Sequence, residues 1–125
     1  MVERDLPDAA PLVPTSPALP VAKFGLGEIV AHRFRPFRGV VFDVDPVFDH
    51  TEEWWRSIPA EVRPRKDQPY YHVLAETDDS TYVAYVSEQN LVPDPDGGPC
   101  RHPQIALLFH GYEDGAYRLR ERVTH

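Results

Sequence analysis

Between residues 23 and 93 the chain alternates apolar and polar positions in short runs, each closed by glycine, proline or a cluster of turn formers. Period two sends successive side chains to opposite faces of a strand. Glu28 to Phe34 therefore predicts a first strand, with Ile29 and Ala31 on one face and Val30, His32 and Phe34 on the other. Arg35–Gly39 reads as a turn punctuated by Pro36 and Gly39. Val40 to Asp45 predicts a second strand, with Val40, Phe42 and Val44 pointing one way and Val41, Asp43 and Asp45 the other, and Pro46 ends it. Tyr70–Glu76 and Thr81–Val86 predict a hairpin across the good turn formers TDDS. Residues 87–90 fit one tight helical turn, and Leu91–Pro93 a short closing strand.

Two stretches leave this pattern. Residues 47–69 predict an excursion: Asp49 caps a short helix, Glu52 completes a capping box, and Trp54, Trp55 and Ile58 form the apolar side. Pro59, Pro64 and Pro69 limit its extent. After the break at DPDGGP, His102 to His110 predicts a short helix with Pro103 in its first turn, stopped by Gly111. Tyr117 and Leu119 suggest a final strand or docked tail. Ahead of all this, Pro7, Pro11, Pro14, Pro17 and Pro20 exclude helix and central strand over residues 1–22. That segment predicts a disordered, partly polyproline-like arm, for which a passive tail is favoured over a groove ligand. The expected architecture is mainly β, a small closed barrel over residues 23–93, with a docked extension over 94–125.

Length and composition narrow the class. A chain of 125 residues with 42% hydrophobic content supports one domain with a core. The single Cys100 excludes an internal disulfide and a multi-cysteine metal site. No apolar run approaches the ~20 residues that span a bilayer, and the acidic, proline-broken start is unlike a signal peptide. The expectation is a soluble, cytoplasmic protein without membrane contact. Net charge is −7, which argues against coating nucleic acid by bulk attraction. Residues 23–47 are the exception, with four basic and three acidic residues, and Arg33, Arg35 and Arg38 crowd the first turn.

These arginines are the leading functional candidates, because a planar guanidinium pairs with phosphate and grips a guanine edge. The competing reading is a solvated turn balanced by Asp43 and Asp45. Arg63, Arg65 and Lys66 form a second basic group, read as a solubilising loop. The histidines show no metal-ligand spacing; His32 and His72 would at most be neighbours on the barrel surface. Asp43 and Asp45 share a strand face, but no third ligand is identifiable, so no metal and no cofactor are expected. No nucleophile or phosphate-loop motif is present, and no enzyme is expected. Arg101 beside Cys100 could lower the thiol pKa, although an incidental thiol is the favoured reading. Trp54 and Trp55 cannot both face one core, so one of them is a candidate protein contact.

The order of motifs, KFGLGEIVAHR, RGVVFDVDP, YYHVLAE and TYVAYVSEQNL, resembles the HspQ family, also called YccV-like or hemimethylated-DNA-binding proteins. The resemblance covers residues 23 to about 93. It implies an SH3-like β-barrel, binding of hemimethylated DNA, and a heat-shock or stress-response role promoting degradation of selected proteins by an ATP-dependent protease. Family members are linked to turnover of the replication initiator and to the Lon protease. Gly25 and Gly27 fall at the family's entry glycines, where positive φ is expected. The candidate DNA contacts are Lys23, Arg33, Arg35, Arg38 and His72. The alternative to a DNA binder is an adaptor that presents client proteins to the protease.

Overall fold

The computed structural model describes residues 21–120. Nearly all of the Pro-rich arm lies outside the described residues. The body is mainly β: β1 (Ile29–His32), β2 (Arg38–Asp45), β3 (Tyr70–Glu76), β4 (Thr81–Ser87) and β5 (Leu91–Pro93) form one antiparallel sheet in the order β4-β3-β2-β1-β5. It is a meander whose fifth strand returns beside the first. Among the described residues no ladder joins β4 to β5. A second sheet holds β6 (Phe109–Glu113) and β7 (Ala116–Leu119).

The middle of the sheet is buried on both faces, and β3 is buried at six of its seven positions. One face gathers Phe24, Val30, Phe37, Val41, Tyr71, Val73 and Leu91. On the other, Ile29, Val40 and Leu74 meet Ile105 and Phe109 from the C-terminal segment. Fully burying a side chain of this size stabilises by about 1.5–3 kcal/mol, so residues after 94 supply half of a core layer. Tyr117 N donates to Gly27 O at 2.8 Å, and Glu28 bridges Ala116.

Several local expectations change. β1 is shorter than expected, because Arg33 and Phe34 already belong to the turn. A bulge between Val41 and Asp43 resets the alternation of β2. Val44 therefore packs with Val41 and not with Val40 and Phe42. The helix α1 (Glu52–Arg56) is capped by Thr51, whose Oγ1 accepts from Trp54 N at 3.0 Å, and not by Asp49. Asp49 N donates instead to Tyr85 Oη, and Glu52 pairs with Arg56 and Lys66. Within the expected helix over 102–110 only Ile105–Leu108 is helical, forming α2, while Phe109 and His110 enter β6. Gly27 has φ +91°, and a Cβ there would meet Tyr117 O at 2.0 Å. Gly25 needs no such freedom: its φ is not positive and a Cβ would meet nothing.

Candidate functional site

The turn between β1 and β2 is built around His32 and Phe37. His32 N donates to Phe37 O at 3.0 Å and Phe37 N to Arg35 O at 2.8 Å. The imidazole Nδ1 of His32 accepts from both Phe34 N and Arg35 N at 3.0 Å, an arrangement that requires the neutral ring. Burial, then the nearby Arg35 charge, lowers the His32 pKa and favours that form. Phe37 is the anchor, buried beneath the turn and packed 5.1 Å from His32 and 5.7 Å from Tyr82 between ring centres. Phe34 points outward and is 79% exposed.

This geometry separates the three arginines. Arg33 is exposed; its Nε donates to Gln89 O at 2.7 Å, leaving the rest of the guanidinium outward. Arg35 is exposed, and among the described residues no carboxylate lies within salt-bridge distance of it or of Arg33. Arg38 differs. Its side chain is only 21% exposed, its Nε donates to Asp94 Oδ2 at 2.8 Å, and its Nη2 donates to Gly98 O at 2.7 Å. Glu76, itself buried, lies 3.6 Å from Nη1. Arg38 is a clamp between β2, β3 and the loop after β5. The expectation of three guanidinium groups along one rim is corrected to two, because Arg38 is the counter-charge of a buried carboxylate.

The other candidates scatter. Lys23 is exposed, and its backbone N donates to Tyr71 Oη and Glu88 Oε2. It therefore stands on the same turn, Glu88–Asn90, that receives Arg33. His72 is elsewhere. Its neighbour across β2 is Asp43 and across β4 is Tyr85, so it is not beside His32. Its Nε2 lies 3.0 Å from Asp45 Oδ2, which also accepts from Tyr85 Oη at 2.8 Å. The sheet thus supplies the third donor that the Asp43–Asp45 pair lacked in sequence, with ligand atoms within 4.8 Å of one another. The Asp45 oxygen nearest His72 is already hydrogen-bonded twice. Two carboxylates beside His72 make that corner a poor place for a phosphate.

The second basic group is engaged internally. Arg63 donates to Ile58 O and Arg56 O and lies 4.8 Å from the Trp55 ring centre. Lys66 pairs with Glu52 and lies 4.4 Å from the Trp55 ring centre, and Arg65 pairs with Asp67. Trp55 Nε1 donates to Pro64 O, while Trp54 stacks on Phe48 and meets Tyr85 edge-on at 5.5 Å. The adjacent tryptophans serve two different clusters.

Between the arginine turn and the exposed side of β4 lies a groove of about 780 Å³. Phe34, Phe37, Trp54, Tyr82 and Tyr85 line it, with Arg35 and Ser87. Sequence reasoning passed over Tyr82 and Tyr85. Their signal was present as two tyrosines three residues apart on an edge strand, but nothing local says that Phe34 and Trp54 line the same groove.

An antiparallel sheet carrying a two-arginine turn beside an aromatic groove defines a small β-rich binding domain. The family described as hemimethylated DNA-binding protein YccV-like matches residues 22–116, and the chain belongs to it. The match reaches past residue 93 into the C-terminal segment that completes the second core layer. No solved structure matches the chain. No described helix is long and apolar enough to cross a membrane.

Proposed function

We propose that this chain is a non-enzymatic regulator that binds hemimethylated duplex DNA, with Arg33 and Arg35 as its phosphate contacts. The observation that carries this is the pair of outward guanidinium groups on a preformed turn, in a chain whose family bears that binding in its description. The ordered turn lowers the entropic cost of presenting both groups. Lys23, held near Arg33 by the Glu88–Asn90 turn, extends the basic edge. Arg38 contributes shape and not contact. A strongly acidic remainder keeps nonspecific attachment weak, so recognition has to come from the site.

Titration of labelled hemimethylated, fully methylated and unmethylated duplexes at two salt concentrations tests this. The hemimethylated duplex is expected to bind tightest. With two phosphate contacts, log affinity falls with log salt at a slope of about −1.8, from roughly −0.9 per contact. Equal affinity for all three duplexes defeats the reading.

A second reading, a cytoplasmic adaptor in a stress response that hands clients to an ATP-dependent protease, is favoured by exposed apolar side chains at the groove. Phe34 is 79% and Val62 61% exposed. Such a surface suits an unfolded segment. Faster degradation of a client by purified protease on addition of this protein supports it; an unchanged rate removes it.

A further inference from the structure

We infer that Phe34 is a wedge that enters duplex DNA between two base pairs from the minor groove, with Arg33 and Arg35 on the phosphates at either side. The inference rests on the DNA reading above and adds to it the shape that binding imposes on the duplex.

Three consecutive side chains carry it. Arg33, Phe34 and Arg35 are all exposed, and the phenyl ring between the two cations is 79% exposed. A lone exposed apolar side chain is ordinary, and Leu119 also lies between two arginines. There, however, Arg118 is paired with Glu113 at 2.7 Å, and Arg120 Nε donates to Ala106 O at 2.9 Å. At the first turn, among the described residues, Arg33 engages only through its Nε, on Gln89 O, and Arg35 lines the same groove as Phe34. An apolar ring held in water keeps its hydrophobic free energy available for a partner. A partner that also satisfies both flanking cations is apolar at its centre and anionic at its edges, which describes a base step between phosphates.

The ring is also firmly placed. His32 Nδ1 accepts from the backbone N of Phe34 and of Arg35, so the tip is ordered before any ligand arrives. The imidazole meets Phe34 edge-on at 6.2 Å between ring centres and packs on Phe37 at 5.1 Å, and Phe37 in turn meets Tyr82. This row of rings braces Phe34 against the buried anchor of the turn. Arg33 and Arg35 are two residues apart, so their Cα atoms stand at most about 7 Å from each other. A tip this narrow suits the minor groove, which is about 6 Å wide and edged by both backbones. Phenylalanine is among the side chains that unstack base steps there, and such insertion kinks the duplex by about 20–90°.

Energy transfer between dyes at the two ends of a hemimethylated duplex of about 25 base pairs tests the inference with the full chain. Binding of the parent is expected to raise the transfer efficiency, and thymines at the kinked step are expected to gain permanganate reactivity. Phe34→Ala at saturating protein is expected to leave transfer at the free-duplex value and to bind roughly tenfold more weakly. Its salt slope should equal the parent's, because both arginines remain. Its Tm should stay within a few degrees of the parent's, because the ring is exposed. Phe34→Leu keeps an apolar wedge and should return most of the transfer. A parent that binds the duplex without raising transfer overturns the wedge and leaves DNA recognition standing, as does a Phe34→Ala complex that bends like the parent's. No binding by the parent overturns both. Unchanged bending by Phe34→Ala, together with lost client degradation, reassigns the ring to a protein contact.

Discussion

Arg38 Nε and Asp94 Oδ2 stand 2.8 Å apart and join the first residue of β2 to the loop that follows β5. The same guanidinium faces Glu76, whose side chain is 6% exposed. Removing a partner from a buried charged group costs more than the pair contributes, because the remaining charge is left uncompensated. Arg38→Ala is expected to lower stability by about 2 kcal/mol, a fall of roughly 10 °C in Tm for a domain of this size. Arg33→Ala/Arg35→Ala is expected to leave urea-unfolding stability within about 0.5 kcal/mol. The same double variant should lose about tenfold in DNA affinity and flatten the salt dependence. A double variant that unfolds early but binds normally would reverse the assigned roles.

The two entry glycines should behave oppositely. Gly27→Ala forces a Cβ against Tyr117 O at a position with φ +91°, so a loss of about 2 kcal/mol or more is expected. Gly25→Ala meets nothing and needs no positive φ, so its Tm should stay within a few degrees of the parent's. Thermal unfolding of the two variants side by side checks the contrast.

The arginine turn should loosen in mild acid. The folded His32 pKa is lowered from 6.5 by burial and by Arg35, so the unfolded chain binds the proton more readily. The stability it contributes is fully present above pH 6.5 and is lost as pH falls from there through the folded pKa. Protonation of Nδ1 would also end its acceptance from Phe34 N and Arg35 N. A His32→Asn variant keeps an acceptor near the turn and does not titrate. Its unfolding midpoint should vary less with pH between 7.5 and 5 than the parent's. Parallel curves for the two proteins would remove His32 from the pH dependence.

Cys100 should be a slow thiol. Burial is the main cause that pushes its pKa up to about 11, outweighing the opposing charge of Arg38. The thiolate fraction at neutral pH is therefore on the order of a hundredfold below that of a free cysteine. Iodoacetamide is expected to label the native protein at least that much more slowly than the urea-unfolded chain. Comparable rates would show that the thiol is open and ionised.

Much of the fold is legible in local pattern. The alternation in residues 70–76 and 81–87 and the TDDS loop define β3, β4 and their turn, where Thr77 N donates to Ser80 O at 2.9 Å. The β6–β7 hairpin was not read from the sequence, where residues 102–110 predict a helix; its turn has positive φ at both Asp114 and Gly115. The bulge at Phe42 was not legible, because one extra residue in a strand is resolved only by its partner. The candidate site was half legible. Arg33, Arg35 and Arg38 look alike in sequence, and the partner that sets Arg38 apart lies 56 residues away.

By itself, the sequence determined the five strands of the main sheet, their order of appearance, the tight turns and the presence of a local basic cluster in an acidic chain. These depend on side-chain period and backbone preference, which act over a few residues. Tertiary structure alone decided which arginines face outward, that His72 keeps company with Asp45, and that Phe34, Trp54, Tyr82 and Tyr85 line one groove. Such juxtapositions follow from strand register and packing between distant segments, and no local periodicity encodes them.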